Sequence, residues 1–182
     1  PTTDDGPLVE YEWETSDDIA VPGDWNTQTP DLFRYEGPAY YRRELDGPPS
    51  DARRRLLVFE AVTYRSSVWL NGVPVGEHEG GFTPFQIEVT DHLTPGRNSL
   101  VVRADSRPGP ETLPALDFDW KNHGGITRSV WLVDTPRTFV RDAFVRLEGG
   151  RIVADVELDG LQAAGAKVRF AMAELGLDAT ST

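Results

Sequence analysis

Along most of this chain apolar and polar residues alternate one for one, the period of a strand with one buried face. The alternation is sharpest between Phe59 and Val89. Tyr64, Ser66, Val68 and Leu70 alternate with Arg65, Ser67 and Trp69, which predicts a strand. Asn71-Gly72 follows, and because both residues tolerate the positive φ of a type I′ turn, Val73 to Glu77 should return antiparallel. Pro74 has no N–H to donate, which either places that return strand at a sheet edge or turns the missing N–H outward. Phe85, Ile87 and Val89 alternate with Gln86, Glu88 and Thr90 and predict a third strand.

Strands also read over Ala39 to Leu45, where YYRREL alternates imperfectly, over Arg53 to Val62, where Leu57, Phe59 and Ala61 share one face and Leu56 and Val58 the other, and over Ser99 to Ala104 and Ser129 to Val133. Thr90 to Leu93 reads as one helical turn capped by Thr90 or Asp91, and Asp46 to Asp51 as a loop. Val21-Pro22-Gly23-Asp24-Trp25-Asn26 reads as a turn in which Trp25 plugs the core. Pro1 to Asp18 is an acidic surface arm with Leu8, Tyr11 and Trp13 as docking residues. Beyond Pro136, Phe139 to Leu147, Arg151 to Leu158 and Ala166 to Ala173 read as three more strands. Short strands, glycine and proline turns, and no βαβ alternation imply an all-β antiparallel sandwich.

The pattern breaks from Ser106 to His123, which carries Pro108, Pro110 and Pro114 and shows neither period. Structureless loops longer than about 12–15 residues are uncommon in compact domains and are usually functional or disordered. Phe118 and Trp120 argue against plain disorder, so this loop is the candidate functional segment.

Three stretches carry a family resemblance. VWLNGVPVGEHEGGFTPFQIEVTDHL resembles the signature of the N-terminal sugar-binding domain of family 2 glycoside hydrolases, the β-galactosidases, β-glucuronidases and β-mannosidases. DWKNHGGITRSVWLVDTP is a second match, and VPGDWN with GPAYYRREL a weaker third, all in the family's order. The resemblance implies a jelly roll over residues 1–137 and a partial immunoglobulin-like sandwich over 138–182, since a complete one takes about 100 residues. Retaining glycosidases use two carboxyl groups about 5 Å apart. In the resembled family these are glutamates on a downstream TIM barrel of about 250 residues, more than this chain holds. The implied function is therefore that of a non-catalytic domain of a β-galactosidase or β-glucuronidase type enzyme, supporting the barrel and lending it a loop. This chain alone should be inactive. VTYRSSVWLNG and GGFTPF lean toward the β-glucuronidase branch.

The resemblance also implies site residues. Asp119 opens the pattern D-x-x-N-x-x-G-I-x-R, and the family residue at that position hydrogen-bonds a sugar hydroxyl. Trp120 either stacks on the sugar or plugs the loop base, the plug being favoured, while Asn122, Gly125 and Arg128 hold the loop. The alternative for Asp119 is to cap a turn through the amides of Lys121 or Asn122. Two other functional classes stay open: a free-standing carbohydrate-binding module using Trp120, and a structural scaffold domain.

Charge and composition narrow the partners. A net charge of −12 argues against nucleic acid or anionic lipid, since there is no basic excess to displace counterions. The acidity fits either a high-salt protein or an arginine-biased genome, for of 18 basic residues only Lys121 and Lys167 are lysine. There is no cysteine, no apolar run of about 18 residues that would span a membrane, and no segment resembling a signal peptide, which favours the cytoplasm. His78, His92 and His123 are too scattered for a local metal pair, and Lys121 spoils the calcium-loop reading of Asp117-Phe118-Asp119. The expectation is no metal, no cofactor and no catalytic residue. The expected partners are a β-glycoside, the barrel of the same polypeptide and a second copy in a homo-oligomer.

Overall fold

The computed structural model describes residues 13–47, 53–113, 121–160 and 165–181. Leu8, Tyr11, Phe118, Asp119 and Trp120 lie outside them. The described residues divide into two compact units, those up to 134 and those from 135 on together with 53–54.

The first unit is all-β and antiparallel, as the alternation predicts. In chain order it contains β1 (Gly23–Asp24), a single-turn α1 (Trp25–Gln28), β2 (Pro38–Gly47), β3 (Arg54–Phe59), β4 (Arg65–Leu70), β5 (Val73–Glu79), β6 (Phe85–Glu88), β7 (Gly96–Asp105), β8 (Gly125–Ile126) and β9 (Val130–Thr135). One sheet has the order β2-β7-β4-β5 and a second β6-β3-β9, while β1 pairs with β8 alone. Asn71 and Gly72 take φ of 53° and 80°, so the β4–β5 hairpin turns as its sequence requires. β5, which carries Pro74, is an end strand, where the missing N–H faces no neighbour.

The alternating apolar positions of the two sheets meet as the core. Leu57 and Phe59 of β3, Val68 and Leu70 of β4, Leu100 and Val102 of β7, and Trp25 join one buried cluster. Each such side chain contributes roughly 1.5–3 kcal/mol by leaving water. Phe59 stacks on Phe85 at 4.8 Å, and His78 stacks on the other side of Phe85 at 4.3 Å. The turn at residues 89–93 is closed by His92 and Leu93 donating to the Val89 carbonyl. The Thr90 hydroxyl accepts from the Arg55 amide and donates to Glu88, so it ties two strands together and caps nothing.

The second unit consists of two hairpins. β10 (Phe139–Glu148) pairs with β11 (Arg151–Asp159), and β12 (Val168–Met172) with β13 (Leu177–Ser181). In the first hairpin the register puts Val140, Ala143, Val145 and Leu147 on the same face as Leu158, Val156, Ala154 and Ile152. That face is wholly apolar, whereas the other carries the Arg146–Asp155 and Arg141–Glu157 ion pairs. Among the described residues none of this unit is buried, and Leu147 is 76% exposed.

Candidate functional site

The segment without strand period leaves β7 at Asp105 and rejoins the sheet framework at β8. Its descending stem is held by polar contacts. The Ser106 amide donates to the Gly37 carbonyl, and the Gly37 amide donates back to the Ser106 hydroxyl at 3.3 Å. Asp105 is 2% exposed and accepts from both Arg103 and Arg107. Burial pushes its carboxyl up, but the Arg107 side chain and amide, with Arg103, outweigh this and hold it below the usual carboxylate range. Further along, Thr112 is buried and closes a tight turn with Gly109, while the Tyr64 hydroxyl donates to the Glu111 carbonyl at 3.2 Å.

The returning stem is locked onto α1. Asn26 is 1% exposed, and its amide nitrogen donates to the carbonyls of Leu32 at 2.8 Å and Tyr35 at 3.0 Å. Its amide oxygen accepts from Gly124 N–H at 2.8 Å, so one buried side chain ties three segments. The Trp25 amide donates to the Gly124 carbonyl at 3.0 Å, and its ring lies against Gly124. A Cβ at Gly124 would stand 2.6 Å or less from three ring atoms of Trp25, which is why this position has no side chain. Trp25 is in turn flanked by Tyr35 and Tyr41 at 6.1 and 6.4 Å between ring centres.

Asp24 caps α1 by accepting from the Thr27 amide at 2.8 Å and the Thr27 hydroxyl at 2.9 Å, and its carboxylate meets His123 Nδ1 at 3.1 Å. Burial raises the Asp24 pKa, yet the bonds from His123 and Thr27 outweigh it and leave the group more acidic than usual. The Tyr41 hydroxyl sits beneath this junction, and burial pushes its pKa up to about 12 against the opposing backbone amide of Ile126. The Lys121 ammonium lies 3.2 Å from the centre of the Phe33 ring, a cation–π contact.

The residues singled out from sequence fall as follows. Asn122 is buried and donates from its amide to the Ser106 carbonyl at 2.9 Å, joining the two stems directly. Gly125 has φ of +146°, pairs with Asp24, and accepts from the Thr63 amide at 2.9 Å. Arg128 is exposed and makes no side-chain hydrogen bond or ion pair among the described residues. Asp119 and Trp120 lie outside the described residues. Asp24, Asn26 and His123 were not singled out for the site. The weak VPGDWN match was the one sequence signal for Asp24 and Asn26, while His123 sits inside the DWKNHGG match, and a short turn motif gives no indication of what its asparagine will reach across the fold. Among the described residues no three acidic or histidine side chains converge as metal ligands, and no helix is long and apolar enough to cross a membrane.

Residues 3–136 match the sequence profile of "Glycosyl hydrolases family 2, sugar binding domain". A putative β-glucuronidase of Formosa agariphila is 35% identical over 135 residues, covering 71% of this chain and 16% of that protein. A β-galactosidase of Clostridium acetobutylicum is 31% identical over 138 residues, 76% of this chain and 14% of its own length. Among solved structures, a β-glucuronidase of an uncultured Clostridium superposes with a TM-score of 0.79 at 27% identity, over 94% of this chain and 33% of that one. The chain thus spans a third or less of the length of these relatives. With the three-part motif, the all-β antiparallel fold and the profile match in agreement, the chain belongs to glycosyl hydrolase family 2, of which it carries the sugar-binding domain.

Proposed function

We propose that this chain is the non-catalytic N-terminal part of a β-glycosidase, of β-glucuronidase or β-galactosidase type. Residues 1–137 form its sugar-binding jelly roll and 138–182 part of an immunoglobulin-like domain. In this reading the hydrolytic carboxylates belong to a barrel elsewhere on the same polypeptide, and the jelly roll brings it one loop. Asp119 is the residue that contacts sugar. An ionised carboxylate is acceptor-only and takes two hydroxyl donors well, and a pyranose offers such pairs. Trp120 packs at the loop base, and a second copy of the chain completes a homo-oligomer.

One observation carries the reading. Both stems of the loop are built as a rigid mount, through Asn26, Asn122, Trp25 and the Asp24–His123 pair, at a place where a bare sandwich needs only a short turn. The test is Asp119→Ala in the full-length polypeptide. Loss of a charged hydrogen bond to substrate removes about 1.5–3 kcal/mol of transition-state binding, or roughly 10- to 150-fold in kcat/KM, with an unchanged melting temperature. Unchanged kinetics, or a loss accounted for by unfolding, would sink the role of Asp119.

A further inference from the structure

At the β4–β5 turn the chemistry of the sequence and the geometry of the fold oppose one another. Of the four asparagines, Asn26, Asn98 and Asn122 are buried and precede Thr27, Ser99 and His123. Asn71 is exposed, and it alone precedes glycine. A glycine nitrogen is the least hindered nucleophile of a main chain, and nothing stands within 4 Å of the position a Gly72 Cβ would take. Yet the Asn71 side chain is fully engaged. Its oxygen accepts from the Ser99 amide at 2.9 Å, and its nitrogen donates to Asn98 Oδ1 at 2.8 Å and to the His92 carbonyl at 3.0 Å. The Asn71 N–H also donates to the Ser99 carbonyl at 2.8 Å. The side chain is thus held against the start of β7 and the turn at residues 89–93. To fold back over its own main chain it must release all three of its bonds. Asn98 cannot adapt to a changed partner. Its oxygen accepts from the Thr94 amide and hydroxyl at 2.8 and 3.2 Å, and its nitrogen donates to the Thr94 and Gly96 carbonyls, both at 2.8 Å. Turning this amide over would set nitrogen against the Thr94 N–H and oxygen against two carbonyls, so Asn98 faces Asn71 as an acceptor only.

We propose that Asn71-Gly72 is a site of spontaneous deamidation, that its rate is set by opening of the turn, and that the product cannot re-form the tie. The Gly72 nitrogen attacks the Asn71 side-chain carbon and a C–N bond closes a succinimide ring. The bond from that carbon to Nδ2 breaks, and Nδ2 leaves as ammonia with the proton that Gly72 gives up. Water then opens the ring. Opening on the side-chain carbonyl leaves aspartate on an ordinary main chain, and opening on the main-chain carbonyl reroutes the chain through the side-chain carbon. Water is the one co-reactant, and the first step is internal to the turn, so it depends on no other segment or partner. Neither product fits the place it came from. A carboxylate has no donor to offer Asn98 Oδ1 or the His92 carbonyl, which are the two acceptors that Nδ2 served. The rerouted chain adds a methylene to a two-residue turn whose φ values of 53° and 80° match the flanking strands. Closure of the turn therefore protects the amide, and conversion removes the closure.

The experiment is peptide mapping by mass spectrometry of the whole chain, incubated folded and incubated unfolded in urea in the same mildly alkaline buffer, with an isoaspartyl methyltransferase to mark the rerouted product. Three hydrogen bonds that must open first should make conversion at Asn71 roughly 10- to 1,000-fold slower in the folded chain than in the unfolded one. Asn98→Ala, checked by circular dichroism, should move the folded rate toward the unfolded one. The parent chain gives the same test with no variant: in urea below its unfolding transition, conversion should quicken in step with hydrogen exchange of the Ser99 amide, the N–H that Asn71 holds. Asn71→Asp reproduces the product on an ordinary main chain, and its Tm should lie roughly 4–10 °C below the parent's at neutral pH. A protonated carboxyl donates to one of the two facing acceptors and an ionised one to neither, so that deficit should grow as pH rises through the carboxylate range. No conversion at Asn71 in the unfolded chain, equal rates folded and unfolded, a rate that stays constant while Ser99 exchange quickens, or an Asn71→Asp chain that melts with the parent at every pH would each overturn the proposal. None of these results bears on Asp119, so the two readings fail separately.

Discussion

Gly124→Ala is the sharpest test of how the loop is mounted. Gly124 is the residue that Trp25 covers, and a methyl group there would meet three ring atoms at 2.6 Å or less. Neither partner can yield. The Trp25 ring is 1% exposed and boxed by Tyr35 and Tyr41, and Gly124 is fixed by its own N–H to Asn26 and its carbonyl to the Trp25 amide. Overpacking of a closed core costs about 1–3 kcal/mol, and weakening one of the two hydrogen bonds adds roughly 0.5–1.5. The expected loss is about 2–4 kcal/mol in urea unfolding, or a fall in Tm of roughly 5–15 °C at this chain length. Trp25→Phe, which shortens the ring on the clashing side, should recover part of the loss, so the double mutant should be less unstable than the sum of the singles. Gly72→Ala is the control. Open space surrounds Gly72, so only its positive φ of 80° opposes a side chain, at a cost nearer 1 kcal/mol. A Gly124→Ala chain that melts within 2 °C of the parent by roughly that scale, or additive single mutants, would refute the packing argument.

Three further outcomes follow from the geometry. Tyr41, neutral in the fold until about pH 12 but ionised from pH 10 when unfolded, should make stability fall as pH rises between those values, by on the order of 2–3 kcal/mol. Tyr41→Phe should flatten that limb in urea titrations, and an unchanged slope would clear Tyr41. The depressed Asp24 pKa gives stability that is present above the ordinary carboxylate value and is lost as pH falls through the lowered one. Asp24→Asn keeps a cap acceptor, so it should cost only roughly 0.5–1 kcal/mol at neutral pH while reducing the acid dependence, and an acid limb as steep as the parent's would contradict this. The apolar face of the β10–β11 hairpin should drive self-association, seen by sedimentation velocity and reversed by Leu147→Glu with Ile152→Glu. A monomer at all concentrations would show that face to be satisfied.

Most of the first unit was legible because its signals are local. Asn71-Gly72 and Pro74 specify their turn and edge through their own φ and missing N–H, whatever surrounds them. What escaped depends on partners far along the chain. β1 and β8 have two residues each and become strands only by pairing with one another, so neither has a period to read. α1 is a single turn, held by the Asp24 cap and by what Trp25 and Asn26 reach. β13, Leu177–Ser181, has little alternation of its own and is a strand because β12 pairs with it. β7 begins at Gly96 and not at Ser99, since its first residues ladder onto the end of β2.

The loop itself was legible as a break in period, but its mount was not, and the reason is chemical. Asn26 reads as a surface turn residue, yet it is among the most buried polar side chains of the chain. An unpaired buried amide costs about 1–3 kcal/mol, so this asparagine is stable only where every bond it makes is available at once. The carbonyls of Leu32 and Tyr35 and the amide of Gly124 supply them from two separate segments. The consequence is a conditional lock: if the returning stem shifts, Asn26 loses the Gly124 amide and its oxygen is stranded. A leucine there would bury more apolar surface but hold the stem in no particular place. Placing a costly polar residue beside the returning stem, in a unit whose other interior positions are mostly apolar, exchanges some stability for a fixed position of that stem.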